Sequence, residues 1–203
     1  MTAPITLYYF NFPGRAEAIR ISLVLGGIEF KDEHLTFQEL RSSEFKYLPV
    51  LQINGINYSQ STSLLRYVGN LAGLLPKDPL GALKVDEVVM IAEDLFIAVG
   101  TTMAIKDPEK QLEARKAAAE GKIKDVLEAL EVKKSASPSS KFFFGESITI
   151  ADLLIHAIVM SLESGKFEGI PKTIVSDVAP SLKNIHIDVM DNPKVKEWYS
   201  SKK

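Results

Sequence analysis

Residues 47–72, YLPVLQINGINYSQSTSLLRYVGNLA, constrain this chain more tightly than any other stretch. Asn54-Gly55 stands between two short apolar segments, and such a dipeptide favours a type I′ hairpin turn, which needs φ > 0 at both central residues. The pattern predicts strands over 50–53 and 56–58. Ser59-Gln60-Ser61 then precedes apolar residues at helical spacing, Leu64, Leu65, Val68 and Leu71, so a serine pair marks a helix start. The free N–H groups and the positive dipole end there make an anion site. Leu48-Pro49 lies just before the first strand, where a proline cannot donate to a ladder and its peptide bond can be cis. One proline, one hairpin and one helix N-terminus converge on one point.

The preceding residues complete a small α/β unit. Residues 5–10 are apolar, β-branched and aromatic, as in a buried strand. Asn11-Phe12-Pro13-Gly14 breaks the strand, and a helix is predicted over 15–25, with Ala18, Ile21, Val24 and Leu25 as its stripe and Gly26-Gly27 as its stop. A second, more polar strand spans 28–34, and 37–45 is a short irregular or helical segment. Strand, helix, strand, hairpin and helix in that order predict a mixed sheet of four strands with a right-handed crossover.

This unit closes near Leu75. Pro76-Lys77-Asp78-Pro79-Leu80-Gly81 marks the boundary, since two prolines and a glycine within six residues interrupt a helix. The chain divides into a first domain over 1–76, a linker over 77–81 and an all-helical domain over 82–203. Long helices are expected over 82–106 and, opened by Asp107-Pro108, over 108–131. The Ser-rich, basic stretch 133–141 reads as a solvated connection. There is no further strand pattern and no internal repeat.

With 203 residues, 46% of them apolar, the chain can bury a substantial core. Its net charge of −2, without a long run of one sign, points to neither nucleic acid nor an anionic membrane. The absence of cysteine removes disulfides, thiolate metal sites and a protein-borne thiol nucleophile. The first residues, MTAPITLYYF, lack the basic start of a signal peptide, and the longest apolar region, 148–162, is interrupted by Asp152 and His156. A cytoplasmic protein is the expectation.

In the helical region, Thr149 and Asp152 have the spacing of a capping box, with Ile148 and Leu153 at the positions of a hydrophobic staple. The helix they start is expected to bury Ile150, Leu153, Leu154, Ala157, Ile158 and Leu162. His156 on it reads as a core histidine. Nothing in the sequence groups it with His34 or His186, so no metal site is expected.

The order of proline, strand, tight turn, strand and Gln-Ser at a helix start resembles the second half of a thioredoxin-like glutathione-binding domain, as in the soluble glutathione transferases. Tyr9-Phe10-Asn11 followed by Gly14-Arg15-Ala16-Glu17 resembles the tyrosine-type members, most closely the sigma class, which includes glutathione-dependent prostaglandin D synthases. The cap Thr149-Ile150-Ala151-Asp152 is similar to a signature of that family's helical domain. The resemblance covers almost the whole chain and implies a thioredoxin-like N-terminal domain with a helical-bundle C-terminal domain. It makes Tyr9 the catalytic tyrosine and Tyr8 its neighbour on the opposite strand face. It implies that glutathione is bound by Tyr9, Arg15, Phe37, Arg41, Leu48, Pro49, Gln60 and Ser61, and by Asp94 of the neighbouring subunit of a homodimer. The backbone of Leu48 would pair with the cysteinyl part, Gln60 and Ser61 would hold the γ-glutamyl carboxylate, and Asp94 would reach its ammonium. Phe37 and Arg41 fall where the class often has Trp and Lys near the glycyl end, and Tyr47 replaces a position often occupied by Lys. The second substrate, a small apolar electrophile, would meet Phe12, Pro13, Phe96, Val99, Thr101 and Met103.

The resemblance therefore implies a detoxifying transferase that uses glutathione as co-substrate and no metal. A thiol of pKa about 8.5 is only about 3% thiolate at pH 7, and the thiolate is the nucleophile. A neutral tyrosine hydroxyl donating to the sulfur favours the charged form; a drop of about 2 pKa units takes about 2.7 kcal/mol and raises the thiolate to about three-quarters of the bound population. A glutathione-dependent isomerase shares the same glutathione site, and a binding or lens-type structural protein shares the fold. Without cysteine, a thiol-disulfide oxidoreductase is disfavoured.

Overall fold

The computed structural model describes residues 4–137 and 141–202. Its sheet has the order β2-β1-β3-β4, from β1 (Ile5–Tyr9), β2 (Lys31–His34), β3 (Val50–Ile53) and β4 (Ile56–Tyr58). β2 runs parallel to β1 with His34 opposite Tyr9, while β3 is antiparallel to both β1 and β4. A parallel pair needs a crossover, and α1 (Glu17–Leu25) supplies it. The hairpin has its predicted bounds, and Asn54 and Gly55 have φ of 51° and 78°.

Other boundaries in this layer shift for local reasons. Gly27, at φ 62°, ends α1 and lets the N–H of Ile28 bond back to the Leu23 carbonyl at 2.9 Å. Strand pairing therefore starts only at Lys31, three residues later than expected. Segment 37–45 becomes a helix, α2 (Phe37–Ser42), because Thr36 and Glu39 bond reciprocally in a capping box. In α3 (Ser61–Leu71), Leu64, Leu65 and Val68 are buried as the stripe predicts, but Leu71 is half exposed. The contact near that end belongs to Gly69 instead, where a Cβ would stand 2.2 Å from Ile150 Cγ2.

The helical layer starts three residues before the expected position. Pro79 is the first residue of α4 (Pro79–Met103), and Asp78 caps it by accepting from the Gly81 N–H at 2.7 Å. A proline at this position has no N–H to lose, so it opens the helix rather than barring it. The single helix expected over 108–131 is two, α5 (Pro108–Ala118) and α6 (Lys124–Ser135), separated by a π-helical turn in which Gly121 leaves helical geometry. Helix α6 therefore runs into the stretch expected as a loop, of which residues 138–140 lie outside the described residues.

The core centres on α7 (Ile150–Leu162), whose six expected residues are all buried, against α1, α4 and α9 (Pro180–Met190). A short α8 (Ile174–Val178) and α10 (Pro193–Ser201) complete the chain. Asp152 accepts from the Thr149 N–H and hydroxyl at 2.8 Å each, and from the Phe143 N–H at 2.9 Å, so the cap also pins the preceding turn.

His156 is a core residue, but it is not isolated. Its ring stacks on His186 with centroids 4.8 Å apart, and its Nε2 lies 2.9 Å from the Tyr199 hydroxyl. Residues thirty apart on α7 and α9 meet only through helix packing, which no local spacing reveals. Among the described residues, no group of three or more His, Asp or Glu could hold a metal, and no helix is long and apolar enough to cross a membrane.

Candidate active site

Strand β1 ends with its side chains sorted by the pleat. Ile5, Leu7 and Tyr9 face the core side, while Tyr8 points away and packs on Phe45 with ring centroids 5.0 Å apart. Tyr9 is only 6% exposed, yet its ring and hydroxyl border a cavity. Its oxygen accepts the Arg15 N–H at 3.2 Å, so the phenolic proton remains available to donate elsewhere. Gly14, at φ 47°, permits this approach, since a Cβ there would sit 2.6 Å from the hydroxyl oxygen.

Burial pushes the Tyr9 pKa up, against the pull of the Arg15 N–H and of the Arg15 and Arg20 charges. The group is therefore a neutral donor at physiological pH.

The loop after Tyr9 is held by Arg20, which is 2% exposed. Its guanidinium donates to the Phe12 carbonyl at 3.1 Å and the Phe10 carbonyl at 3.2 Å. The same group meets both oxygens of Asp32, at 2.9 and 3.0 Å, and Glu17 Oε2 at 3.0 Å. A buried cation with two carboxylate partners and carbonyl acceptors is satisfied on all sides.

The cavity beside Tyr9 has a volume of about 380 Å3. Of the sequence-predicted residues, Tyr9, Phe12, Pro13, Arg15 and Phe37 border it from the sheet layer, and Phe96, Val99 and Met103 from α4. Thr101 does not. Its hydroxyl donates to the Ala98 carbonyl at 2.9 Å, and it lies in a separate depression with Asp94 and Lys122, because it projects from another face of α4. Sequence reasoning missed the third wall, which includes Ile158, Ser161, Leu162, Lys166 and Phe167. The helical spacing of Ile158 and Leu162 could have suggested part of it; the turn carrying Lys166 and Phe167 has no local signal.

A second group of predicted residues lies at the start of α3. Leu48-Pro49 is cis, Leu48 is half-buried, and Gln60 occupies φ 79°, unusual for a residue other than glycine. Gln60 rather than a serine is the N-cap, and it makes no side-chain cap bond. Arg15 joins this group to the Tyr9 cavity. One terminal nitrogen lies 3.4 Å from Ser61 Oγ and pairs with Glu93 of α4, while the guanidinium stands 5.2 Å over the Phe96 ring. Arg41, Tyr47 and Gln60 are exposed and do not border the cavity. Asp94 is paired within its own chain, with Lys122 at 2.7 Å.

Residues 5–70 match the family model for the glutathione S-transferase N-terminal domain, and residues 93–202 that for the C-terminal domain. The chain is 28% identical over 214 residues to glutathione S-transferase 3 of Caenorhabditis elegans, covering 97% of this chain and 95% of that one. It is 29% identical over 161 residues to S-crystallin SL11 of Nototodarus sloanii, covering 75% and 77% respectively. In fold it is similar to prostaglandin synthase D of Nilaparvata lugens, with a TM-score of 0.85 at 20% identity over 98% of each chain. One family match alone spans more than half of the sequence, and the chain belongs to the glutathione S-transferase family.

Proposed function

We propose that the protein conjugates the thiolate of bound glutathione to small apolar electrophiles, with Tyr9 stabilising the sulfur anion. The observation that carries this reading is the Tyr9 hydroxyl. It is neutral, its lone pair already accepts the Arg15 N–H, and its proton is free to meet a sulfur at the mouth of an apolar cavity. Charge-assisted donation of this kind lowers a thiol pKa, and low local dielectric strengthens it. The thiolate attacks the electrophilic carbon, a C–S bond forms, and any leaving group departs with the electrons of its bond. The thiol proton passes to water.

Glutathione would lie from Tyr9 across to α3. The cysteinyl backbone pairs with Leu48 beside Pro49, and the γ-glutamyl carboxylate meets Gln60, Ser61 and the uncapped first turn of α3. Arg15 supports the tyrosine, and Phe37 and Arg41 flank the glycyl end. The electrophile fills the space between Phe12, Pro13, Phe96, Val99 and Met103.

The homodimer forms through the outer faces of α3 and α4. Leu83, Met90 and Ile97 recur every seven residues on α4 and are 62%, 58% and 50% exposed, a stripe too apolar for a solvated helix face. Asp94 is four residues after Met90 and three before Ile97, so it shares that face and can exchange Lys122 for a ligand ammonium in the neighbouring subunit. A sigma-like, cytoplasmic, detoxifying enzyme is the corresponding biological reading.

The likeness to an S-crystallin and to a prostaglandin synthase keeps two alternatives, a structural protein and a glutathione-dependent isomerase. The test is the pH dependence of turnover with glutathione and a generic aryl halide, run beside Tyr9→Phe. Parent activity with an apparent pKa well below about 8.5, and a loss of about ten-fold or more at pH 7 in Tyr9→Phe while glutathione still binds, supports conjugation. Equal turnover in the two proteins removes Tyr9 from the mechanism. Glutathione binding without conjugation shifts the reading to an isomerase or a binding protein, and no binding leaves only the fold.

A further inference from the structure

The third wall of the cavity carries a feature that an apolar electrophile does not require. Beyond α7 the chain turns through Ser164, Gly165 and Lys166 to Phe167, and Ser161, Ser164, Lys166 and Phe167 all border the cavity. The Ser161 and Ser164 hydroxyls are committed to the Ala157 and Ser161 carbonyls, at 2.9 and 2.7 Å, and the Ser164 oxygen accepts the Lys166 N–H. The turn is thus ordered by its own hydroxyls.

Two cations border the cavity. Arg15 is occupied by Glu93 and Ser61. The Lys166 ammonium has no ion-pair partner among the described residues.

Its surroundings add to the positive charge. The Arg115 guanidinium stands 5.7 Å from the centre of the Phe167 ring, and Lys172 lies over Gly165, its Nζ 2.6 Å from where a Cβ would be. Glu163, the acid nearest the end of α7, is already paired with Lys183. Glu168 is exposed and is the remaining acid on the turn. Lys166 therefore borders the cavity with Arg115 and Lys172 behind the turn, an excess of positive charge over Glu168, the turn's own uncommitted carboxylate. Such an excess attracts an anion when an apolar body carries it into the cavity.

We propose that Lys166 makes this cavity selective for amphipathic electrophiles that end in a carboxylate, and that it binds that carboxylate while the apolar body lies against Phe96, Phe167 and Met103. This rests on the conjugation reading and specifies the second substrate of the same site. The chemical step is unchanged: for an α,β-unsaturated aldehyde the thiolate adds to the β-carbon, the π electrons move to the carbonyl oxygen, and water protonates the α-carbon. Lys166 takes no part in bond making. It acts on binding.

The test uses α,β-unsaturated aldehydes with alkyl chains of increasing length, each ending in a carboxylate or in its methyl ester. They are compared in the parent protein and in Lys166→Met, with an uncharged aryl halide as control. Lys166 is exposed, so its replacement leaves the fold intact. The proposal predicts that, at the chain length that reaches Lys166, Lys166→Met raises KM for the acid about three-fold at low salt, with kcat unchanged. The ester and the aryl halide change by less than the acid does, and added salt closes the gap. The same acid-to-ester preference is read at equilibrium with the saturated analogues, by displacement of a fluorescent apolar probe. An acid-to-ester ratio identical in the two proteins at every length, in turnover and in displacement, overturns the proposal. Failure of the conjugation reading appears separately, as absent turnover of the aryl halide by the parent, and the displacement measurement then still decides whether Lys166 selects a carboxylate.

Discussion

Arg20 and Asp32 meet through two contacts of 2.9 and 3.0 Å, and the same guanidinium holds the backbone of the loop that follows Tyr9. One side chain on the first helix thus sets the loop, the buried Glu17 and the partly buried Asp32. Arg20→Met strips the ion-pair partner from Glu17, which is 3% exposed and keeps only the Tyr199 hydroxyl, and frees the Phe10 and Phe12 carbonyls. Leaving a buried charge unpaired costs about 3–5 kcal/mol. Urea unfolding should show a loss of that size, and a variant within about 0.5 kcal/mol of the parent would mean that the ion pair is dispensable.

Gly14 is the point at which the backbone passes the Tyr9 hydroxyl. Gly14→Ala adds a Cβ at a positive φ and against that oxygen, so it strains the turn and displaces the donor. Expected outcomes are a destabilisation of about 1–2 kcal/mol and a fall in kcat larger than the change in glutathione affinity. If glutathione affinity falls while kcat holds, the glycine serves binding and not the tyrosine.

The stripe of Leu83, Met90 and Ile97 gives a measurement of assembly. Met90→Lys places a charge at its centre and should convert a sedimenting dimer into monomer at micromolar concentration. Because Asp94 lies on the same face, turnover should fall with dissociation, through a raised KM for glutathione. Monomeric parent protein in dilute solution would contradict the interface.

His156 gives a signed dependence on pH. Burial drives its pKa down to about 3 from an ordinary value near 6.5, so the folded state favours the neutral ring. The stability from this group is fully present above about pH 6.5 and is lost as the pH falls toward 3. Around the ring lie the Tyr199 hydroxyl and His186, whose own pKa burial also lowers, with Lys183 and Glu163 beside His186. Between pH 7 and pH 5 the parent should lose about 2 kcal/mol more than His156→Gln. Equal losses would place the pH sensitivity elsewhere.

What the sequence revealed depended on how local the determinant was. Asn54-Gly55 needs only its own backbone preference, and strand alternation puts Tyr9 and Tyr8 on opposite faces, the resemblance choosing between them. Thr149 and Asp152 cap within one turn. Pro79 was misread because a proline that breaks one helix is indistinguishable, by itself, from a proline that starts the next. The meeting of His156 with His186 and the placement of Lys166 beside the Tyr9 cavity depend on how the helices pack. Thr101 went astray by one step around α4, where a single residue turns the side chain through about 100°.

The network that ends at Glu17 has a consequence for how the protein is made. Tyr199, on α10, donates to Glu17 at 2.7 Å, and Lys202 reaches Asp32 at the same distance, so both acids that hold Arg20 are themselves held from the far end of the sequence. During synthesis the first layer emerges early and can pair its strands. Its tyrosine loop acquires its full support only after residue 202 has left the ribosome, and a nascent chain stalled before α10 should present a folded sheet with an immature Tyr9 loop.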